Sequence, residues 1–320
     1  MGFSMPKGLG LAAAAGLTSG LVTLSVISGG GLGMLLAYVT PLPPALVGLA
    51  FGFGPCLVSL VAGALVVAVA GWTAMPAYLA IGAIPALLVT AVALRGRRDP
   101  DGKIDWSKPG PMLLFLALGA VVMMALAVLS LLAEGKGIEG WLREQATPIV
   151  EQAFAGAQDD VKSAIVGLMA AILPAMVGLA WLAMTLANGL FAQWVVTRAG
   201  RALRPTPDYA ALRLPLWLAP AAGLVAVSSL IGGDFGYLAR NAAIVLMAPY
   251  LVTGLVDVHA SLRSKPMAGL WLAVFYGVFL ALFGWAAIAV TAWGVVRQWM
   301  RPRREDPALD QENENGSHSA

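Results

Sequence analysis

Residues 164–196 read AIVGLMAAILPAMVGLAWLAMTLANGLFAQWVV, thirty-three positions without one Asp, Glu, Lys or Arg. As a helix rising 1.5 Å per residue this run spans about 50 Å, more than the roughly 30 Å hydrocarbon core of a bilayer. The run must therefore tilt, kink at Pro174 or project into water. Its flanks differ in charge. Asp159 and Asp160 lie before it, and Arg198, Arg201, Arg204 and Arg213 follow it.

The rest of the chain has the same character. Of 320 residues, 59% are hydrophobic and 12% charged, with a mean hydropathy of +0.81. Soluble domains carry about 25% charged residues, so this chain lacks the charge to cover a water-exposed surface. The composition excludes a disordered chain, a disulfide-rich secreted scaffold and an ordinary cytosolic enzyme. The single cysteine, Cys56, excludes an intrachain disulfide and a multi-cysteine metal site. The fold class expected is all-α, a polytopic transmembrane bundle of about eight to ten hydrophobic segments.

Working outward, further passes are expected at 8–28, 74–94, 111–133, 214–231 and 235–259. The stretch 31–71 is long enough for two passes, with a non-helical or re-entrant middle at Pro41 to Pro44 and at Gly52, Gly54 and Pro55. Residues 267–296 hold either one last helix that ends outside, against the positive-inside rule, or, as favoured here, two short helices broken near Gly284. That break returns the four arginines after position 296 to the basic side. Residues 134–162 hold six acids against three bases. In that segment Ile138, Trp141, Leu142, Ile149, Val150 and Ala153 recur at helical spacing, as on an amphipathic helix at the outer surface. The domain organisation expected is one transmembrane domain over 1–304 and a disordered acidic tail over 305–320.

Net charge is +3, yet the tail alone holds five acids and no Lys or Arg. The bases fall in short loops, five of them in 95–108 and four in 198–213. By the positive-inside rule both loops are expected in the cytoplasm and 134–162 outside. Bases scattered over loops do not form a nucleic-acid surface, so no nucleic-acid partner is expected.

Few motifs carry chemistry. Gly135-Lys-Gly-Ile-Glu-Gly140 matches G-x-G-x-x-G, but a nucleotide site needs a strand before it, and a membrane helix stands there. The chain has no Walker A sequence, and His259 and His318 lie far apart. No catalytic residue, metal site or cofactor is expected, and the chain is not expected to be an enzyme. Two constellations remain. Gly8, Ala12, Gly16 and Gly20 form a small-residue stripe, either packed inside the chain or presented to a partner. Tyr250, Thr253 and Asp257 share a face of a late helix that Arg240 and Asn241 open. Intramembrane ionisable groups point to function by default, so these five are the expected ligand-binding residues. Anchoring at the membrane boundary is the alternative.

These features resemble the YybS-like family of bacterial membrane proteins (domain of unknown function 2232). The resemblance rests on the first helix with Gly29-Gly-Gly31 and on Thr40-Pro-Leu-Pro-Pro-Ala-Leu-Val-Gly-Leu-Ala-Phe-Gly52. It also rests on Arg240-Asn241 and Ala248-Pro-Tyr-Leu-Val-Thr-Gly-Leu-Val-Asp-Val-His259. The family is distantly similar to the substrate-binding S-components of energy-coupling-factor transporters, which dock on an energising module through small residues of their first helix. The resemblance implies a bacterial inner-membrane protein that binds or transports a small molecule, with a separate energising membrane module as partner. The competing reading is a non-transporting scaffold that holds envelope or division proteins.

Overall fold

A computed structural model describes residues 5–27, 31–130 and 137–300. The Gly29-Gly30 pair, Gly135-Lys136 and the acidic tail lie outside them. The chain forms two compact units, Met1–Pro249 and Tyr250–Ala320, within the stretch expected as one domain.

The first unit opens with α1 (Met5–Ile27), α2 (Gly31–Ala37), α3 (Leu42–Phe51) and α4 (Phe53–Ala70). The chain does break beside the prolines at 41–44, in a turn over 38–41 between α2 and α3, but Pro43 and Pro44 themselves are helical. Proline is tolerated in the first turn of a helix, where its missing N–H would have no partner, and Pro43 and Pro44 start α3. Gly52, at φ +100°, makes the turn into α4. The stretch 31–71 therefore holds one helix of spanning length, α4, and a shorter apolar helical segment, where two passes were expected.

The span Trp72–Ala93 follows, built from a 3-10 turn, α5 (Met75–Tyr78), a π turn (Leu79–Ala83) and α6 (Ile84–Ala93). The π turn has a local cause. The Ile84 N–H donates to Leu79 O, five residues back, and Pro85 has no N–H to offer. Ala80 O thereby loses its helical donor, and Trp181 Nε1 fills the vacancy at 2.7 Å. A two-stranded hairpin, β1 (Gly96–Arg98) and β2 (Ile104–Trp106), links α6 to α7 (Pro109–Leu129).

The pair α8 (Ile138–Ala153) and α9 (Asp159–Arg198) comes next. At 40 residues α9 is about 60 Å long, and its excess carries α8. The amphipathic helix expected at 134–162 is present with its face turned. Ile138, Leu142, Ala146 and Val150, each four apart, are buried against Val166, Ala170 and Tyr237. Ile149, expected on that face, is 59% exposed. The long apolar run thus belongs to one helix longer than a bilayer core is thick.

Residues 199–217 connect to α10 (Leu218–Ser228), a shorter apolar helix where a full pass over 214–231 was expected. Gly232 and Gly233, both at positive φ, turn the chain into α11 (Gly233–Arg263). The core of this unit gathers Tyr78, Val89, Met124, Trp181, Leu182 and Val245.

The second unit takes the later part of α11 together with α12 (Ala268–Ala281) and α13 (Phe283–Met300). The break expected near Gly284 lies at Leu282, where the two helices bend by 117°. Among the described residues, six helices are long and apolar enough to cross a membrane. With the bent pair and two shorter apolar helices they fall within the range expected from the sequence.

Candidate functional site

The small-residue stripe of α1 is engaged within the chain. A Cβ on Gly16 would collide with the Ser59 carbonyl, and one on Gly20 with Gly63 O and Val66. Ala12 is fully buried beside them, whereas a Cβ on Gly8 would meet nothing. Close backbone approach to α4 is thus what Gly16 and Gly20 permit. Of the two readings of the stripe, internal packing is the one this geometry realises.

The five expected ligand residues all lie on α11, but they divide between the units. Arg240 and Asn241 belong to the first, and their surroundings are set by Pro174 in the middle of α9. A proline in a helix leaves the carbonyl four residues back without a donor and crowds its neighbours. The affected groups are Ala170 O and Ala171 O. Tyr237 Oη donates to Ala170 O at 2.6 Å. Asn241 Nδ2 donates to Ala171 O at 3.1 Å and to Tyr237 O at 3.0 Å, and Asn241 Oδ1 accepts the Ala175 N–H at 3.0 Å. Both amide hydrogens and the amide oxygen of this fully buried side chain are thus engaged.

Arg240 completes the set. It donates to Ala171 O at 3.3 Å and pairs with Glu139 of α8 at 3.2 Å. Asp234 accepts the Ile138 N–H at 3.0 Å. The first turn of α8, which the glycine motif would have offered to a phosphate, therefore receives the protein's own carboxylate. Tyr237, Glu139 and Asp234 were not singled out from the sequence. The available signal was Pro174 inside a long apolar run, with a Tyr-x-x-x-Asn pair elsewhere to answer it.

Tyr250, Thr253 and Asp257 belong to the second unit and face α13. A Cβ on Gly294 would collide with Tyr250 O and Thr253 Oγ1, and one on Gly254 with Val290 O. The two glycines bring the helix backbones together. Asp257, 8% exposed, is joined to Arg297 Nε at 3.5 Å, and Arg297 is 39% exposed and lies over the Trp293 ring. His259 Nδ1 and Tyr276 Oη, from α11 and α12, are 3.2 Å apart. Arg297 entered the sequence reading only as one of the terminal bases.

No cluster of three or more His, Cys, Asp or Glu able to hold a metal occurs among the described residues. What the second unit offers is a shielded carboxylate against a guanidinium that reaches solvent, with a hydroxyl and an aromatic ring nearby. No curated protein and no solved structure matches the chain. A family model described as a predicted membrane protein, DUF2232, matches residues 16–296. That match covers most of the chain, so the chain belongs to the DUF2232 family of predicted membrane proteins.

Proposed function

We propose that this protein binds a small charged molecule in the bacterial inner membrane, in the manner of a transporter's substrate-binding component. One observation carries the reading: the Asp257–Arg297 pair within an otherwise apolar group of helices. A carboxylate in a membrane segment costs about 2.5–3.5 kcal/mol on insertion scales, and such a residue is retained where it has a task. Tyr250 and Thr253 line the same face of α11. Arg240 and Asn241 drop out of the binding set, because the repair of α9 already engages them. An energising module, if one docks, does so elsewhere than on Gly16 and Gly20, which α4 covers.

The test is native mass spectrometry of the full chain extracted into lipid nanodiscs. The wild type is expected to carry a non-lipid small molecule, and Asp257→Asn and Arg297→Gln to lose it while remaining folded. The scaffold reading has its own support in the α8–α9 pair, which extends past a bilayer's thickness and presents Glu144, Glu151 and Asp159 to solvent. A wild type without small molecule but with stoichiometric envelope proteins favours the scaffold and overturns the binding reading.

A further inference from the structure

The two basic segments, about a hundred residues apart in sequence, form one surface. Arg204 is the staple. Nearly buried, it donates from Nη1 to Ala93 O at 2.9 Å, at the end of α6, and from Nη2 to Ser107 O at 3.1 Å, just after the hairpin. Its guanidinium also lies 5.7 Å from the Trp106 ring. Leu203 N–H donates to Leu49 O in the last turn of α3, and the Arg213 backbone closes on Gly110. Desolvation holds the Arg204 guanidinium below its ordinary pKa, and burial raises the Tyr209 phenol. Arg204 is therefore an internal strut that fixes loop 199–213 against the hairpin.

Around the strut the exposed charges are unbalanced. Arg95, Arg97, Arg98, Lys103, Lys108, Arg198, Arg201 and Arg213 are exposed, against Asp99, Asp101, Asp105 and Asp208. In the hairpin Arg97 stands opposite Asp105, whereas Arg98 stands opposite the apolar Ile104. Exposed rings flank the bases. Arg95 lies over Phe115 at 5.1 Å, and Arg198 over Trp194 at 5.4 Å. Phe115, Trp194, Ile104 and Leu203 are all exposed. The ends of α6, α7 and α9 meet here, where spanning helices leave the bilayer.

We infer that this surface selectively holds anionic phospholipid headgroups, binding phosphodiesters with Arg98, Lys103, Lys108 and Arg198 while the adjoining aromatic and aliphatic side chains contact the upper acyl region. Juxtamembrane bases attract anionic lipid additively, and aromatic rings favour the headgroup level. The apolar neighbours select a lipid over a free phosphate, which would gain nothing from them. A bare orientation signal needs only charge. This surface adds a rigid hairpin and an internal arginine that locks two distant segments together.

The test uses the full chain in nanodiscs of phosphatidylglycerol and phosphatidylcholine, with lipid retention read by native mass spectrometry after release. Wild type is expected to retain phosphatidylglycerol in preference to phosphatidylcholine, and added salt to erode the preference. Arg98→Gln/Lys103→Gln and, independently, Lys108→Gln/Arg198→Gln should each weaken retention about thirtyfold. Arg143→Gln/Lys162→Gln removes the same charge from α8 and α9 and should leave retention unchanged. Equal loss in all three variants, no preference in the wild type, or displacement by millimolar inorganic phosphate would each overturn the inference.

Discussion

The earlier and later parts of α11 carry polar side chains to different ends. Before Pro249, Tyr237, Arg240 and Asn241 meet backbone groups that Pro174 leaves open in α9, and both amide hydrogens and the amide oxygen of Asn241 are engaged there. After it, Asp257 pairs with the partly exposed guanidinium of Arg297, and Tyr250 and Thr253 lie beside it on the helix. A polar residue in a membrane segment is thus not a site by virtue of its polarity. The deciding question is whether the group completes a backbone hydrogen-bond pattern or pairs with a charged side chain that is itself partly exposed.

The comparison can be broken by substitution. The largest effect is expected where packing alone is at stake. Gly16→Leu forces a branched side chain into the Ser59 carbonyl, and overpacking of that kind costs about 1–3 kcal/mol or more. Thermal unfolding in detergent should fall sharply, or the protein should fail to accumulate. A folded Gly16→Leu protein of wild-type stability would mean that α1 does not approach α4 as described.

Asn241→Leu comes next. It leaves the Ala175 N–H and the Ala171 carbonyl short of partners in a buried place, at about 1–3 kcal/mol for an unsatisfied group. A clear drop in melting temperature is expected, with no specific effect on any bound molecule beyond that of unfolding. Asp257→Asn should do the reverse. The pair it disrupts is buried at Asp257 and partly exposed at Arg297, so some stability is lost, but the small molecule should be lost under conditions where the variant is still folded. A folded Asp257→Asn protein that keeps the small molecule would erase the distinction. The smallest effect is expected from Tyr237→Phe, which removes one hydrogen bond to Ala170 O at about 1 kcal/mol. Calorimetry in a single detergent ranks the four.

Much of the fold was legible in the sequence because apolar length is a strong signal. The spans at α1, α4, Trp72–Ala93, α7 and α9 follow from runs without charge, and that at α11 from a long apolar run interrupted only by Arg240 and Asp257. The errors came from proline and glycine, whose effect depends on position. The break expected at Pro41 to Pro44 lies at 38–41, and Pro43 and Pro44 sit where the next helix begins. The run at 214–231 was long enough to span, yet Pro215 and the Ser228-Ser229 turn leave only the shorter α10 and its 3-10 extension. The polar residues were found by rarity, which located Asn241 and Asp257 equally well and could not separate them. Their difference depends on which carbonyl lies across the helix interface, and no local pattern in α11 encodes the proline in α9. Arg204 was hidden for the same reason. Its neighbours Arg198, Arg201 and Arg213 have the same composition and are exposed, and only the fold shows which one turns inward.

The account stands most directly on one double-mutant cycle. If Asn241 completes the backbone that Pro174 interrupts, restoring an N–H at position 174 should make the asparagine less necessary. Unfolding free energies of wild type, Asn241→Leu, Pro174→Ala and the double variant should show the cost of Asn241→Leu falling to about half or less in the Pro174→Ala background, since the helix can then close its own bonds. An undiminished cost in that background would contradict the account, because Asn241 would then serve something other than the repair of α9.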